Sequence, residues 1–152
     1  MGAALALAAL GAATVTDLRG GVVPNGLTAA TALVGSVVAW ASGAFLAHSL
    51  AAVGTVAVLL GARVLGHAVA GRPGLGMGDV KLGAGLALLL GWSALWVFYL
   101  AAVLGALAGA ATWARGRFQR ARPVPFVPFL LGGAVVAFSV LPFGRVWAWV
   151  GG

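Results

Sequence analysis

Residues 79–113 read DVKLGAGLALLLGWSALWVFYLAAVLGALAGAATW, an aspartate and a lysine followed by no further charged residue until Arg115. A run of this kind belongs in a bilayer, where a helix needs about 20 apolar residues to cross about 30 Å of hydrocarbon. Divided at Gly91, it gives spans at 79–91 and 92–113, joined as one tight hairpin. The same reading of apolar stretches between charges and turn formers places further spans at 2–17, 27–42, 45–65 and 125–143. The fold class expected is therefore all-α, a polytopic membrane bundle of about six transmembrane helices. Some spans are shorter than a full crossing, so five is the alternative count. No domain boundary, long linker or repeat interrupts the pattern, and residues 1–152 form a single membrane domain on this reading.

Composition agrees. Of the 152 residues 62% are hydrophobic and 7% charged, against about 25% charged in a soluble domain. Nine Lys and Arg face two acids, for a formal charge of +7. In a soluble protein that balance suggests nucleic acid, but here no soluble domain is available to carry such a partner. The cations instead follow the positive-inside rule. Arg19, Arg63, Arg72, Lys81, Arg115, Arg117, Arg120 and Arg122 all fall on one side of the span pattern, whereas the turns near Ser42-Gly43 and Gly91-Trp92 carry no charge. Only Arg145 lies on the far side. This places the N-terminus outside and the loops 18–26, 66–78 and 114–124 in the cytoplasm. Residues 1–16 read as a first span, because no Lys or Arg precedes them as in a signal peptide.

The absence of cysteine excludes disulfides, thiolate metal sites and cysteine nucleophiles. His48 falls in the outer part of the third span and His67 in a cytoplasmic loop, so the two do not form one metal site. Packing or solvent exposure accounts for each. Small residues at helical spacing, Gly2 with Ala6, Gly35 with Ala39 and Gly105 with Gly109, read as places where helix backbones approach. Trp40, Trp92, Trp96, Trp113, Trp147 and Trp149 lie near span ends, where indole rings favour the membrane interface. The cluster Arg115, Arg117, Arg120 and Arg122 reads as a topology determinant.

Asp17 and Asp79 are the only acidic residues. Each ends or begins an apolar span, where an acid is costly and needs a reason. One reason is bland: an interfacial helix cap, or a partner for Arg19 or Lys81. Topology supplies another. Two spans separate the acids, and an even number of crossings returns the chain to the same face. Packed side by side, the two carboxyls would share one site, where like charges held close do not both ionise. That is what an aspartic protease requires: an ionised acid to take a proton from water, and a protonated acid to polarise the scissile carbonyl. Asp79 follows Gly76-Met77-Gly78 and precedes Val80-Lys81, with glycines suited to a tight turn and close substrate approach. Seven residues after Asp17 comes Pro24-Asn25, which stops the first span and sets up the second. Thr14, Thr16 and Thr28 flank Asp17, but threonine in a membrane helix usually bonds its own backbone. A rival from another class is a small proton- or ion-coupled transporter, which would hold its acids near the membrane midplane. A third is a non-catalytic assembly protein on the same scaffold.

At these residues the chain resembles the type IV prepilin peptidase family. That family pairs an Asp followed seven residues later by Pro-Asn with a second Asp in Gly-x-Gly-Asp-x-Lys, here Gly76 to Lys81. Pro125-Phe126-Val127-Pro128-Phe129-Leu130 resembles the family's late segment that opens the last helix. The resemblance implies cleavage of the basic leader of pilin-like precursors at the cytoplasmic face of the bacterial inner membrane. It makes Asp17 and Asp79 the catalytic pair, with Gly76, Gly78, Lys81, Pro24 and Asn25 shaping the site, and implies no metal or other cofactor. The long members carry a cysteine-bearing cytoplasmic segment and also methylate the product. Without such a segment here, the resemblance is to the short, peptidase-only branch, and methyltransferase activity is not expected.

Overall fold

The computed structural model describes residues 2–20, 23–70, 75–114 and 126–140. Arg72, the cluster Arg115 to Arg122, Pro125, Arg145, Trp147 and Trp149 lie outside these residues, as does the side chain of Trp113. Among the described residues there are six α-helices and no strand: α1 (Gly2–Gly20), α2 (Asn25–Ala41), α3 (Phe45–Ala70), α4 (Met77–Leu90), α5 (Ala94–Ala114) and α6 (Val127–Val140). The protein is an all-α membrane helix bundle. Each expected span has its helix, although α3 runs on to Ala70, five residues past the expected end. His67 accordingly sits in the last turn of α3 rather than in a loop.

The apolar run from Met77 to Ala111 is not one span. Gly91 takes φ of +59°, a left-handed conformation that ends α4, and a 3-10 turn over Gly91–Ser93 starts the return. In one straight helix Gly83 and Phe98 would be about 22 Å apart. Instead a Cβ on Gly83 would meet the Phe98 ring at 3.1 Å, so the chain doubles back. Among the described residues the run thus makes two helices rather than one.

Just before this turn, a buried side chain meets the Leu88 carbonyl. His48, in the first turns of α3, is 2% exposed, and its Nδ1 lies 2.7 Å from Leu88 O. An Nδ1–H donor is thereby required, which sets the ring's tautomer when neutral. His48→Ala removes this hydrogen bond and the packing of a buried ring, and should cost about 1–3 kcal/mol. The expected readout is a lower melting temperature in detergent; an unchanged one would remove His48 from the hairpin's support.

Helix α4 is the axis of the bundle. Val80, Leu82, Gly83, Gly85, Leu86, Ala87, Leu89 and Leu90 are all buried, and α1, α2, α3 and α5 surround it. Paired contacts give the directions. Asn25 meets Lys81, Thr31 meets Gly85 and Gly35 meets Leu88, so α2 runs parallel to α4. His48 meets Leu88, Leu59 meets Gly83 and Arg63 meets Leu75, so α3 is antiparallel. Gly2 lies against Leu89 O at the far end of α4, which makes α1 antiparallel as well. Helix α6 closes the bundle against α5 and α1.

The central helix is short. Its 14 residues rise about 21 Å, against about 39 Å for the 26 residues of α3. A helix sheathed by its neighbours need not reach both interfaces itself. Where α4 begins, α3 continues for a further two turns beyond Arg63. The C-terminal part of α3 therefore extends past the start of α4.

Candidate active site

Asp17 stands one turn before the C-terminal end of α1, and Asp79 is the third residue of α4. The antiparallel pairing of these helices brings the two ends together. Both side chains line one cavity of about 360 Å³, with Val23, Pro24, Asn25, Gly76, Met77, Gly78 and Lys81. Every residue expected at the site is thus gathered in one place, and Val23 and Met77 complete its wall.

Local chemistry explains the placement. Pro24, with φ of −61° and ψ of 136°, is the N-cap residue of α2, and its carbonyl accepts the amides of Leu27 at 3.0 Å and Thr28 at 3.2 Å. Its missing N–H costs nothing there. Gly76 is the N-cap residue of α4, and its N–H donates to Asp79 Oδ2 at 3.1 Å. The bland reading of Asp79 as a helix cap is therefore correct, and it holds alongside the shared cavity. An acid at this position also suits the positive end of the helix dipole.

The two glycines do not supply a left-handed turn. Neither Gly76 nor Gly78 has a positive φ. Space is what they supply: a Cβ on Gly76 would stand 3.1 Å from Asp79 Oδ2, and one on Gly78 would stand 3.2 Å from Val23 Cβ. The first keeps the amide open to the carboxylate. The second lets the α1–α2 connection lie against the start of α4.

Lys81 Nζ donates to Asn25 Oδ1 at 3.0 Å, joining α4 to the first residue of α2 across the cavity. Thr14, Thr16 and Thr28 bond the carbonyls of Leu10, Ala13 and Asn25, so none is committed to the acids. Asp17 Oδ2 is buried and has no partner among the described residues. A buried carboxylate oxygen without a partner is expensive, and Asp17 lines the same cavity as Asp79. Among the described residues no three His, Cys, Asp or Glu side chains gather as a metal site.

Fold and site together define a class: a multi-pass helical membrane protein that holds its only two acids in one cavity at one end of the bundle. Comparison with known proteins narrows it. The model of the type IV leader peptidase family matches residues 4–114. A prepilin leader peptidase/N-methyltransferase of Burkholderia pseudomallei is 41% identical over 153 aligned positions, covering 93% of this chain and 48% of the relative. Proteins of the same name from Pectobacterium carotovorum and Bacillus subtilis are 35% identical over 139 positions (88% of this chain, 49% of the relative) and 38% identical over 66 positions (43% and 27%). The chain belongs to the type IV leader peptidase family. It spans about half the length of the first of these relatives. No solved structure matches it.

Proposed function

We propose that the chain is a membrane aspartic endopeptidase that removes the basic leader from prepilin-type precursors at the cytoplasmic face of the bacterial inner membrane. The observation that carries this reading is the convergence of Asp17 and Asp79 on one cavity. The relatives are named for prepilin cleavage, and the cavity offers what hydrolysis needs. Its volume, about 360 Å³, admits a water together with a short length of extended peptide, given that one water occupies about 30 Å³.

In this mechanism the two carboxyls share a proton. The ionised member takes a proton from the attacking water, and the protonated member hydrogen-bonds the scissile carbonyl and stabilises the charge that develops on its oxygen. The tetrahedral intermediate collapses as the leaving amine receives a proton from the pair. No covalent enzyme intermediate forms, and no cofactor takes part. Lys81 and Asn25 hold the rim, and Gly76, Gly78 and Pro24 keep the backbone clear for the substrate. This reading assigns hydrolysis to the cavity and assigns it no methyl transfer.

The test is co-expression with a precursor carrying a basic leader, a glycine and one apolar helix, following its loss of mass. Cleavage by the wild type that disappears in Asp17→Asn and Asp79→Asn supports the two-acid peptidase. An active wild type whose activity survives both changes refutes it.

The same reading fixes orientation. Arg19, Arg63 and Lys81 all lie toward the cavity end of their helices, so the positive-inside rule turns that end to the cytoplasm. The sequence contains no cysteine, so single introduced cysteines report without background. Ser42→Cys, in the far turn, should react with a membrane-impermeant maleimide in intact spheroplasts. Gly20→Cys should react only after permeabilisation. The reverse pattern would place the cavity outside.

A further inference from the structure

We infer that Arg63 is a positioning residue for Asp79, acting through the single peptide group that joins Leu75 to Gly76. This rests on the reading of Asp79 as a catalytic acid. The guanidinium Nη1 of Arg63, on α3, donates to Leu75 O. The N–H of that same peptide unit, on Gly76, donates to Asp79 Oδ2. A cation therefore holds the oxygen end of one planar peptide, and a catalytic carboxyl sits at its hydrogen end.

Two hydrogen bonds in series through a peptide reinforce one another. A positive charge on the carbonyl oxygen draws electron density along the C–N bond and makes the N–H a stronger donor. It also fixes the plane of the peptide, and with it the direction from which Asp79 Oδ2 is held. Leu75 anchors the backbone before α4 through its buried side chain, and the Arg63 contact adds a hold on the carbonyl that sets the tilt of the peptide plane. Glycine is needed there for the reason already given: a Cβ would crowd Oδ2 at 3.1 Å.

Arginine suits this role. Its guanidinium is always charged and its planar fork is preorganised, so little freedom is lost when it docks on a carbonyl. As a topology signal alone, Arg63 would need only to lie near the interface; it would not need to meet Leu75. The other cations described at this end do not do the same work. Lys81 is joined to Asn25, and Arg19 is exposed at the end of α1.

The experiment uses the full chain in detergent micelles, with Arg63→Met to keep the apolar stem, Arg63→Lys to keep the charge, and Asp79→Asn for reference. Two readouts are taken: kcat and KM on a purified precursor, and the amide resonance of Gly76 in protein labelled with 15N-glycine, assigned by its loss in Gly76→Ala. Arg63→Met should lower kcat about 10- to 100-fold, the scale of a charge-assisted hydrogen bond, with KM within about twofold because substrate contacts are untouched. Arg63→Lys should recover part of kcat. The Gly76 amide should shift in Arg63→Met and in Asp79→Asn. A wild-type kcat in Arg63→Met, a lysine variant no faster than the methionine one, or an unmoved Gly76 resonance would each overturn the proposal. Should Arg63→Met fail to fold, Arg63→Gln takes its place. If the wild type cleaves no precursor, the peptidase reading fails, while the Gly76 resonance still decides whether Arg63 acts on Asp79.

Discussion

Asp79→Asn should reduce precursor cleavage at least about 1,000-fold while leaving the bundle folded. General acid–base catalysis contributes about 10²- to 10⁴-fold for a positioned group, and here one carboxyl must both pass a proton and control the ionisation of its neighbour. The fold should survive, because asparagine is nearly isosteric with aspartate and loses only the charge that suits the helix N-terminus, worth about 0.3–1 kcal/mol. Its carbonyl oxygen can still accept the Gly76 amide that Asp79 Oδ2 accepts at 3.1 Å. Asp17→Asn should lose as much activity, and the double variant should be no slower than either single one, as for groups that work as a unit. Stability separates the two positions. Asp17 has a buried oxygen with no partner among the described residues, so removing its charge should leave the melting temperature equal or higher. The measurements are a cleavage time course with purified protein and a melting curve by circular dichroism. Cleavage by Asp79→Asn within about tenfold of wild type would mean that the water is activated by some other group.

What hydropathy could reveal, it revealed. Six apolar runs became six helices, and the even number of crossings between Asp17 and Asp79 placed both at one end of the bundle. Parity of crossings is a topological property and survives errors of several residues at each boundary. The extension of α3 to Ala70 was hidden because Arg63 and His67 look like a loop when read for charge alone. A helix rising past its short neighbour can carry cations without leaving the bundle. Contacts between helices were less legible. Of the small-residue pairs read from spacing, Gly35 marks a close approach, but Gly105 meets Phe129 only at an ordinary 3.8 Å. The tightest approaches include Gly85 and Gly133, which spacing did not single out. Nor does any local pattern reveal that Arg63 reaches the carbonyl of Leu75, since that depends on the register of α3 against the residue preceding α4.

That dependence on register makes Gly35→Val a damaging change that should reach the cavity without touching either acid. A Cβ at Gly35 would stand 2.8 Å from Leu88 Cβ, 2.9 Å from Gly85 O and 2.9 Å from Leu89 N. Two of these three neighbours are backbone atoms of α4, which cannot swing aside like the tip of a side chain. The helices must separate, and in lipid close packing is much of what holds them together. Overpacking commonly costs about 1–3 kcal/mol and occasionally more; with backbone as the obstacle, about 3 kcal/mol is expected. Because α2 and α4 run parallel in one register, the disturbance should also travel. Gly35 lies about 15 Å along α2 from Asn25, whose side chain accepts the Lys81 bond at the cavity rim. Gly35→Val should therefore lose activity as well as stability, although it touches neither acid. The controls are Gly11→Ala and Gly61→Ala, where a Cβ would meet nothing within 4 Å. There alanine's higher helix propensity, worth up to about 1 kcal/mol, should leave the protein as stable or more so, with cleavage unchanged. Equal melting temperatures for Gly35→Val and the controls would mean that α2 and α4 do not cross this closely. A destabilised Gly35→Val with full activity would instead mean that the cavity is held by α1 and the Arg63 contact without help from the α2–α4 seam.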